Sequence, residues 1–252
     1  MKYRLDHYSQ PLNGNITLSS SKSESNRTLI INALSGNQLQ LKNLSDARDT
    51  QTMQRLLSER QPVWDVLDAG TTMRFCTAYL AIAGSGETIT GSNRMKERPI
   101  KLLVDALRKF GAKIDYLEKE GFPPLRISAQ KNNFQSQKIS IPGNISSQYI
   151  SALLMIGPML PDGISIKLIG EIFSRPYIEM TLALMDHFGI KSTWKNQSIN
   201  IKSQRYQGRS YTIESDWSGA SYWYSMVALN KESNITLRGL RARSFQGDQN
   251  II

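Results

Sequence analysis

The feature that most constrains this chain is that it repeats itself at long range. Arg98-Pro99-Ile100 opens an apolar-periodic segment that closes on Gly111, and Arg175-Pro176-Tyr177 opens another that closes on Gly189. The two openings stand 77 residues apart and the two closing glycines 78. Ile100, Leu103, Val104, Leu107 and Phe110 follow the i, i+3, i+4, i+7 stripe of an amphipathic helix. Proline falls in the first turn, where a missing N–H is tolerated, and glycine just past the last. A short strand-like run follows each helix, over 112–116 and 190–194. A second kind of helix recurs upstream of these, with small or hydroxylic residues leading into an apolar run. It begins at Ser25-Asn26, Gly70-Thr71-Thr72, Ser146-Ser147-Gln148 and Ser218-Gly219-Ala220-Ser221. A period of this length is a whole supersecondary unit of two helices and several strands. Three such units are expected within residues 21–233, with the fourth hydroxyl-rich helix starting something beyond them.

Length and composition set the frame. At 252 residues the chain has room for one or two domains of about 150 residues each, and for a core that needs no staples. Hydrophobic residues at 40% and charged residues at 21% describe a folded globular protein rather than a disordered one. Cys76 is the only cysteine, which excludes an intramolecular disulfide and suits a reducing compartment. The longest nearly apolar stretch, 152–160, is broken by Gly157 and Pro158 and falls far short of the ~18 residues of a membrane span. The first six residues carry no signal-peptide core. A cytoplasmic protein without a membrane partner is expected. The formal charge of +10 implies an anionic partner. Because Arg108-Lys109 is the only adjacent basic pair, no block of cations tracks a phosphate backbone, and small anions are favoured over nucleic acid.

Most catalytic templates are absent. The two histidines, His7 and His187, have no carboxylate or cysteine cluster at metal-ligand spacing. His187 sits in the last turn of a helix, where a cation favours the helix dipole. Cys76 reads as a small core residue, and Gly84-Ser85-Gly86 as a turn rather than a phosphate loop. No G-x-S-x-G elbow occurs. What remains is a set of helix N-termini decorated with hydroxyls, amides and cations. The densest is 19–27, where unpaired backbone N–H groups meet Lys22 and Arg27. Gly70 admits a ligand close to the backbone, and Arg98 ahead of its proline can grip a phosphate with two N–H groups. Any one of these hydroxyls is equally a helix cap. Four in equivalent repeats, three with a cation, point to a shared anion site.

Lys22-Ser23-Glu24-Ser25-Asn26-Arg27, Ala69-Gly70-Thr71-Thr72-Met73-Arg74, Arg94-Met95-Lys96-Glu97-Arg98-Pro99 and Ser146-Ser147-Gln148 resemble the signature segments of the 5-enolpyruvylshikimate-3-phosphate synthase family. Ser174-Arg175-Pro176-Tyr177 and Gln246-Gly247-Asp248 fit as well, and the whole set comes in family order. The resemblance implies an α/β (α+β) fold of repeated βαβαββ units forming an inside-out, barrel-like domain. It implies a shikimate-pathway transferase of aromatic amino-acid biosynthesis, the target of glyphosate, monomeric at full length. The enolpyruvyl group of phosphoenolpyruvate would pass to the 5-hydroxyl of shikimate 3-phosphate, with no metal or organic cofactor. By the same resemblance Lys22 contacts both substrates and is the catalytic residue on this chain. Ser23, Arg27, Ser146, Ser147, Ser174 and Tyr177 would hold shikimate 3-phosphate, while Gly70, Arg98 and Gln148 would bind phosphoenolpyruvate, with Thr71 in the same loop. The alternatives weighed are a UDP-N-acetylglucosamine enolpyruvyl transferase, which shares the repeats and the donor, and an RNA 3′-phosphate cyclase-like protein.

Three departures stand out. Ser20-Ser21 replace the family's usual Pro-Gly, and Asp68 replaces its usual Asn beside Gly70. The third is length, since family enzymes are longer and have two similar domains. Residues 1–20 are expected to be the first strand segment of the lower domain, 21–233 the complete upper domain, and 234–252 the return into the lower one. The family's acid–base carboxylates would then lie beyond Ile252. The chain by itself is expected to bind shikimate 3-phosphate weakly and to turn over nothing, with 1–20 and 234–252 lacking strand partners.

Overall fold

A computed structural model describes residues 3–4, 10–59, 61–129, 134 and 138–252; His7 lies outside the described residues. The chain runs through β1 (Asn13–Thr17), α1 (Lys22–Leu34), β2 (Gln40–Lys42) and α2 (Arg48–Ser58). Next come β3 (Val63–Asp65), α3 (Gly70–Ala83), β4 (Thr88–Thr90), the single turn α4 (Asn93–Lys96) and α5 (Lys101–Lys109). The hairpin strands β5 (Ile114–Tyr116) and β6 (Leu125–Ile127) complete that series. It returns as β7 (Lys138–Pro142), α6 (Ser147–Ile156), β8 (Ile164–Ile169), α7 (Arg175–His187), β9 (Ser192–Lys195) and β10 (Ser198–Ile201). Then follow β11 (Ser210–Thr212), α8 (Trp217–Leu229), β12 (Asn234–Arg238) and a 3-10 turn at Gly247–Ile251.

The repeat is therefore real and has the form βαβαββ. Two four-stranded sheets share one topology, β3-β4-β6-β5 and β7-β8-β10-β9. In each, the first two strands are parallel and the last two form an antiparallel hairpin. The third unit is discontinuous in the chain. Its second strand, β2, pairs in parallel with β11, so its first strand comes from the far end of the series. The reason is geometric, because a parallel neighbour must arrive by a crossover. The described chain reaches this unit at α1 without a strand of its own to start it. The ends depart from expectation. β1 and β12 pair with each other in parallel, Asn13 against Asn234 through Thr17 against Arg238.

Two classes of helix carry out two jobs. α6 buries every residue except Gln148, and α3 buries eleven of fourteen, so neither has a solvent face. A helix apolar all round belongs in an interior, and α1, α3 and α6 pack against one another there. By contrast α5 buries only Leu103, Val104, Ala106 and Leu107 and lays one stripe on the core. The sheets lie outside this helical centre, which is the inside-out arrangement. Cys76 is fully buried in it, and burial raises its thiol pKa, so it is a core residue as the sequence indicates. Gly111 and Gly189 both take positive φ, 100° and 90°, immediately past their helices. Pro176 lies in the first turn of α7, whereas Pro99 stands outside α5, ahead of its N-cap Ile100. Its carbonyl is held there by Arg74 Nη2 (2.9 Å) and the Tyr149 hydroxyl (2.6 Å). Among the described residues no helix is long and apolar enough to cross a membrane.

Leu154, wholly buried in α6, and Leu102, 47% exposed on α5, separate the two helix classes. Leu154→Ala is expected to cost about 2–5 kcal/mol in urea unfolding, and Leu102→Ala no more than about 0.5 kcal/mol.

Candidate active site

The N-termini of the inner helices come together at one end of the core. At α1, Ser21 is the N-cap and its Oγ accepts from the Glu24 N–H at 3.4 Å. Lys22 follows, exposed, with Nζ 3.5 Å from Asp49 Oδ2 at the start of α2. The Asp49 carbonyl accepts from Thr72 Oγ1 of α3 at 3.1 Å, which ties the first turns of α1, α2 and α3 together. Gln148 Nε2 of α6 donates to Thr71 Oγ1 at 3.1 Å and adds the third inner helix. Ser146 is exposed and caps α6 through the Gln148 N–H, while Ser147 is buried. At α3 the N-cap residue is Ala69, which has no side-chain acceptor, so the first-turn N–H groups there lack a cap. Over them lies Arg98. A Cβ on Gly70 would come within 2.4 Å of both of its Nη atoms, so only glycine lets the guanidinium rest on this backbone.

Ser23, Ser174 and Tyr177 meet elsewhere, in a cleft of about 200 Å³ whose other wall is Asp216, Gln246 and Asp248. Ser174 sits at the N-cap position of α7 in the left-handed region, φ 52°, yet its side chain makes no cap hydrogen bond. A non-glycine residue in that region is uncommon, and here it keeps the hydroxyl free at the cleft. The site residues thus form two groups, one in this cleft and one made of Gly70, Thr71, Arg98 and Gln148.

Arg27 is placed differently from the other cations. It is 3% exposed, and its guanidinium donates to Thr181 Oγ1 (2.7 Å), the Ser23 carbonyl (3.0 Å), Ser151 Oγ (3.2 Å) and the Tyr177 carbonyl (3.4 Å). Burial lowers its pKa to about 10, which leaves it protonated at neutral pH. Arg74 is its counterpart in the next repeat, donating to the Gly70 carbonyl (3.1 Å) and to Pro99. In both cases a buried arginine of an inner helix grips a carbonyl in the Arg-Pro segment of an outer one. Sequence reading missed Arg74, Tyr149, Thr181 and Ser151 in this supporting role. All sit inside the hydroxyl-rich helices or α7, and only their depth distinguishes them.

The two local departures have structural partners. Asp68 Oδ1 lies 3.8 Å from Arg48 Nη1, and Ser20 bridges to Ser215. His187 Nε2 meets the Ser210 carbonyl at 3.1 Å and packs edge-on against Phe188 and Tyr211, a structural role at the end of α7. Among the described residues no three His, Cys, Asp or Glu side chains gather as a metal site. Asp216, the N-cap of α8, has its pKa raised by burial and by the neighbouring Asp248.

Comparison with known proteins agrees with this architecture. The family model for EPSP synthase (3-phosphoshikimate 1-carboxyvinyltransferase) matches residues 7–61 and 58–252. The chain belongs to the EPSP synthase family. It is 52% identical over 249 residues to the 3-phosphoshikimate 1-carboxyvinyltransferase of Bacteroides fragilis strain YCH46, covering 98% of this chain and 60% of the relative. The Yersinia pestis protein of the same name is 38% identical over 266 residues, covering 94% of this chain and 61% of its own length. The fold matches that of EPSP synthase from Acinetobacter baumannii with a TM-score of 0.79, at 17% identity, over 94% of this chain and 57% of that one. The chain spans about 60% of the length of the curated relatives it matches.

Glu24 offers a test of the electrostatics beneath the site. Its side chain is fully buried, Oε2 accepts from the Tyr211 hydroxyl (3.0 Å) and the Glu214 N–H (3.1 Å), and Oε1 has no partner. Burial, and then the Glu214 charge, raise its pKa above the ordinary 4.5, against the lowering effects of those two hydrogen bonds and of Arg241. A raised carboxyl contributes stability that is complete below the unfolded value and lost as pH rises through the folded one. Glu24→Gln removes that loss. Its Tm relative to the wild type is expected to climb as pH rises from about 4.5 toward 7, read by thermal unfolding; a difference that does not vary with pH would contradict it.

Proposed function

We propose that this chain supplies the substrate-binding half of an enolpyruvyl transferase. The reaction moves the enolpyruvyl group of phosphoenolpyruvate to the 5-hydroxyl of shikimate 3-phosphate and releases inorganic phosphate. The observation that carries this reading is the meeting of three buried-helix N-termini with Lys22 and Arg98, the latter lying on the Gly70 backbone. Both substrates carry phosphate dianions and carboxylates. Unpaired N–H groups at helix starts bind such groups, and a guanidinium matches them with two N–H donors.

In this reading Ser23, Ser174 and Tyr177 hold shikimate 3-phosphate in the cleft, with Ser146 and Ser147 at the neighbouring start of α6. Gly70, Thr71, Arg98 and Gln148 hold phosphoenolpyruvate, and Lys22 stands between the two. Arg27 acts from below, because its N–H groups already meet protein acceptors and fix the Ser23 and Tyr177 carbonyls. Chemically, a proton adds to C3 of phosphoenolpyruvate and the 5-hydroxyl oxygen attacks C2, losing its own proton. A proton then leaves C3 as the C2–O bond to phosphate breaks. Fixed cations stabilise the tetrahedral species because they need not reorganise as its charge develops. The acid–base carboxylates are assigned to the part of the relatives' length that this chain does not span. Residues 21–233 then form one domain, with 1–20 and 234–252 as the two strands of a crossing to the other. A cytoplasmic enzyme acting on small molecules as a monomer at full length completes the reading.

Calorimetric titration of the 252-residue chain with shikimate 3-phosphate should give saturable heat that weakens with salt and disappears in Lys22→Ala. Lys22 is the better probe than Arg27, because Arg27→Ala would strand four acceptors in the core. Adding phosphoenolpyruvate should release no phosphate from this chain alone. A folded chain without heat, or heat unaffected by Lys22→Ala, would overturn the assignment.

Gly70→Ala separates the two groups of residues. The new methyl displaces the end of the Arg98 side chain and leaves the cleft untouched. Phosphoenolpyruvate binding in the presence of shikimate 3-phosphate is expected to fall by at least about tenfold, the equivalent of one lost charge-assisted contact. Shikimate 3-phosphate affinity should remain within about twofold, since a remote change of this size is usually near neutral.

A further inference from the structure

Glu214 lies between β11 and α8, outside every segment assigned above to substrate, and it is 2% exposed. Its main chain is tied twice to the start of α1. The carbonyl accepts from the Ser21 N–H at 2.8 Å, and the N–H donates to Glu24 at 3.1 Å. The carboxylate joins α8 to the arm that follows β12. Oε1 accepts from Trp217 Nε1 (2.7 Å) and from the Arg241 N–H (2.7 Å), while Oε2 accepts from Ser244 Oγ (2.5 Å) and Gln246 Nε2 (3.3 Å). A carboxylate has about four lone-pair directions, and all four are used.

Three of those donors come from residues 241–246, the arm that leads into one wall of the cleft. Gln246 is itself 3% exposed. It accepts from the Trp217 N–H at 3.0 Å and donates to the Ser215 carbonyl at 2.9 Å. The next residue, Gly247, abuts the first turn of α7 so closely that a Cβ would come within 2.3 Å of Pro176 Cβ. Asp248 follows, hydrogen-bonded to Ser218. The arm therefore faces Ser23, Ser174 and Tyr177 across the cleft, and Glu214 holds it through three of its donors, beside the bonds of the Arg241 side chain to Tyr211 and Thr212.

We propose that Glu214 is a positioning residue for the shikimate 3-phosphate cleft: its carboxylate fixes residues 241–248 as the wall opposite Ser23, Ser174 and Tyr177. The functional part of this inference rests on the reading given under Proposed function. A carboxylate is required because every partner donates. An amide at 214 would turn an NH2 group toward the Trp217 and Arg241 N–H groups, or toward Ser244 and the Gln246 amide. In the second orientation the Ser244 hydroxyl can rotate to accept. Gln246 cannot adapt without giving up the Trp217 N–H or the Ser215 carbonyl. Glu214→Gln thus strands the Trp217 and Arg241 N–H groups in one orientation and the Gln246 amide in the other, and loosens the arm either way, whereas Glu214→Asp keeps the charge and four acceptor directions on a shorter stem.

Hydrogen exchange followed by mass spectrometry, paired with shikimate 3-phosphate calorimetry on the whole chain, tests this. In Glu214→Gln, exchange over 239–248 should quicken at least tenfold with peptides of α3 and α6 unchanged. Shikimate 3-phosphate affinity should fall about tenfold, with Glu214→Asp intermediate in both. Gln246→Ala should free the same arm, and it carries the test if Glu214→Gln does not fold. An arm that stays protected in both variants would overturn the proposal, as would a freed arm with unchanged affinity or a uniform loss of protection with affinity intact. If the wild type does not bind shikimate 3-phosphate, the functional reading fails by itself. The fastening role then stands or falls on the exchange data alone.

Discussion

Packing α1, α3 and α6 against one another takes their sides out of water, so the polar groups these helices keep for a ligand are the unpaired N–H groups of their first turns. The core is shaped around that constraint. The outer helices pack on the sides of the helical centre, and at the start of α3 the uncapped first turn has the Arg98 guanidinium lying against Gly70. The partial positive charge of each helix start adds to Lys22 and Arg98, which stand at the same end.

Holding that end together takes polar struts inside the core, and these are the costly parts of the structure. Arg27 and Arg74 are nearly inaccessible, and burial lowers the pKa of each. An unpaired buried charge is strongly unfavourable, so both spend their N–H groups on carbonyls and hydroxyls. The acceptors are not random. Arg27 of α1 takes the Tyr177 carbonyl of α7 and Arg74 of α3 the Pro99 carbonyl ahead of α5, so two outer helices are anchored to inner ones by the same device, once across units and once within a unit. Arg98 can be presented to a ligand because Arg74 and Tyr149 carry the backbone beside it.

The crossing region adds a second layer of the same logic. Glu24 and Glu214 lie buried near one another, with no ion pair to either among the described residues, sustained by Tyr211, by backbone N–H groups and by the side chains of the 241–246 arm. Glu24 shows the cost directly, with one oxygen unpartnered and its carboxyl held above the ordinary range. Glu214 shows the return, since every lone pair is occupied and one wall of the cleft hangs from it.

The repeat, the two helix classes and the hydroxyl-rich starts were legible in the sequence because each is written in local periodicity and in side-chain type. Gly70 and Arg98 could be singled out for the same reason, since glycine and a proline-preceding arginine carry their meaning locally, whereas Gln148 was assigned only through the family resemblance. Tertiary structure alone decided which parallel neighbour β2 receives, because β11 reaches it from 170 residues away in the register of Gln40 with Ser210. It alone paired β1 with β12, turned Arg27 inward while Lys22 faces out, and kept Pro99 outside its helix. Glu214 has no sequence signal, because a lone acid between Ile213 and Ser215 looks like any surface carboxylate. Its role arises from four donors that meet only when two distant stretches of chain cross, and a hydrogen-bond network of that kind is a property of the fold.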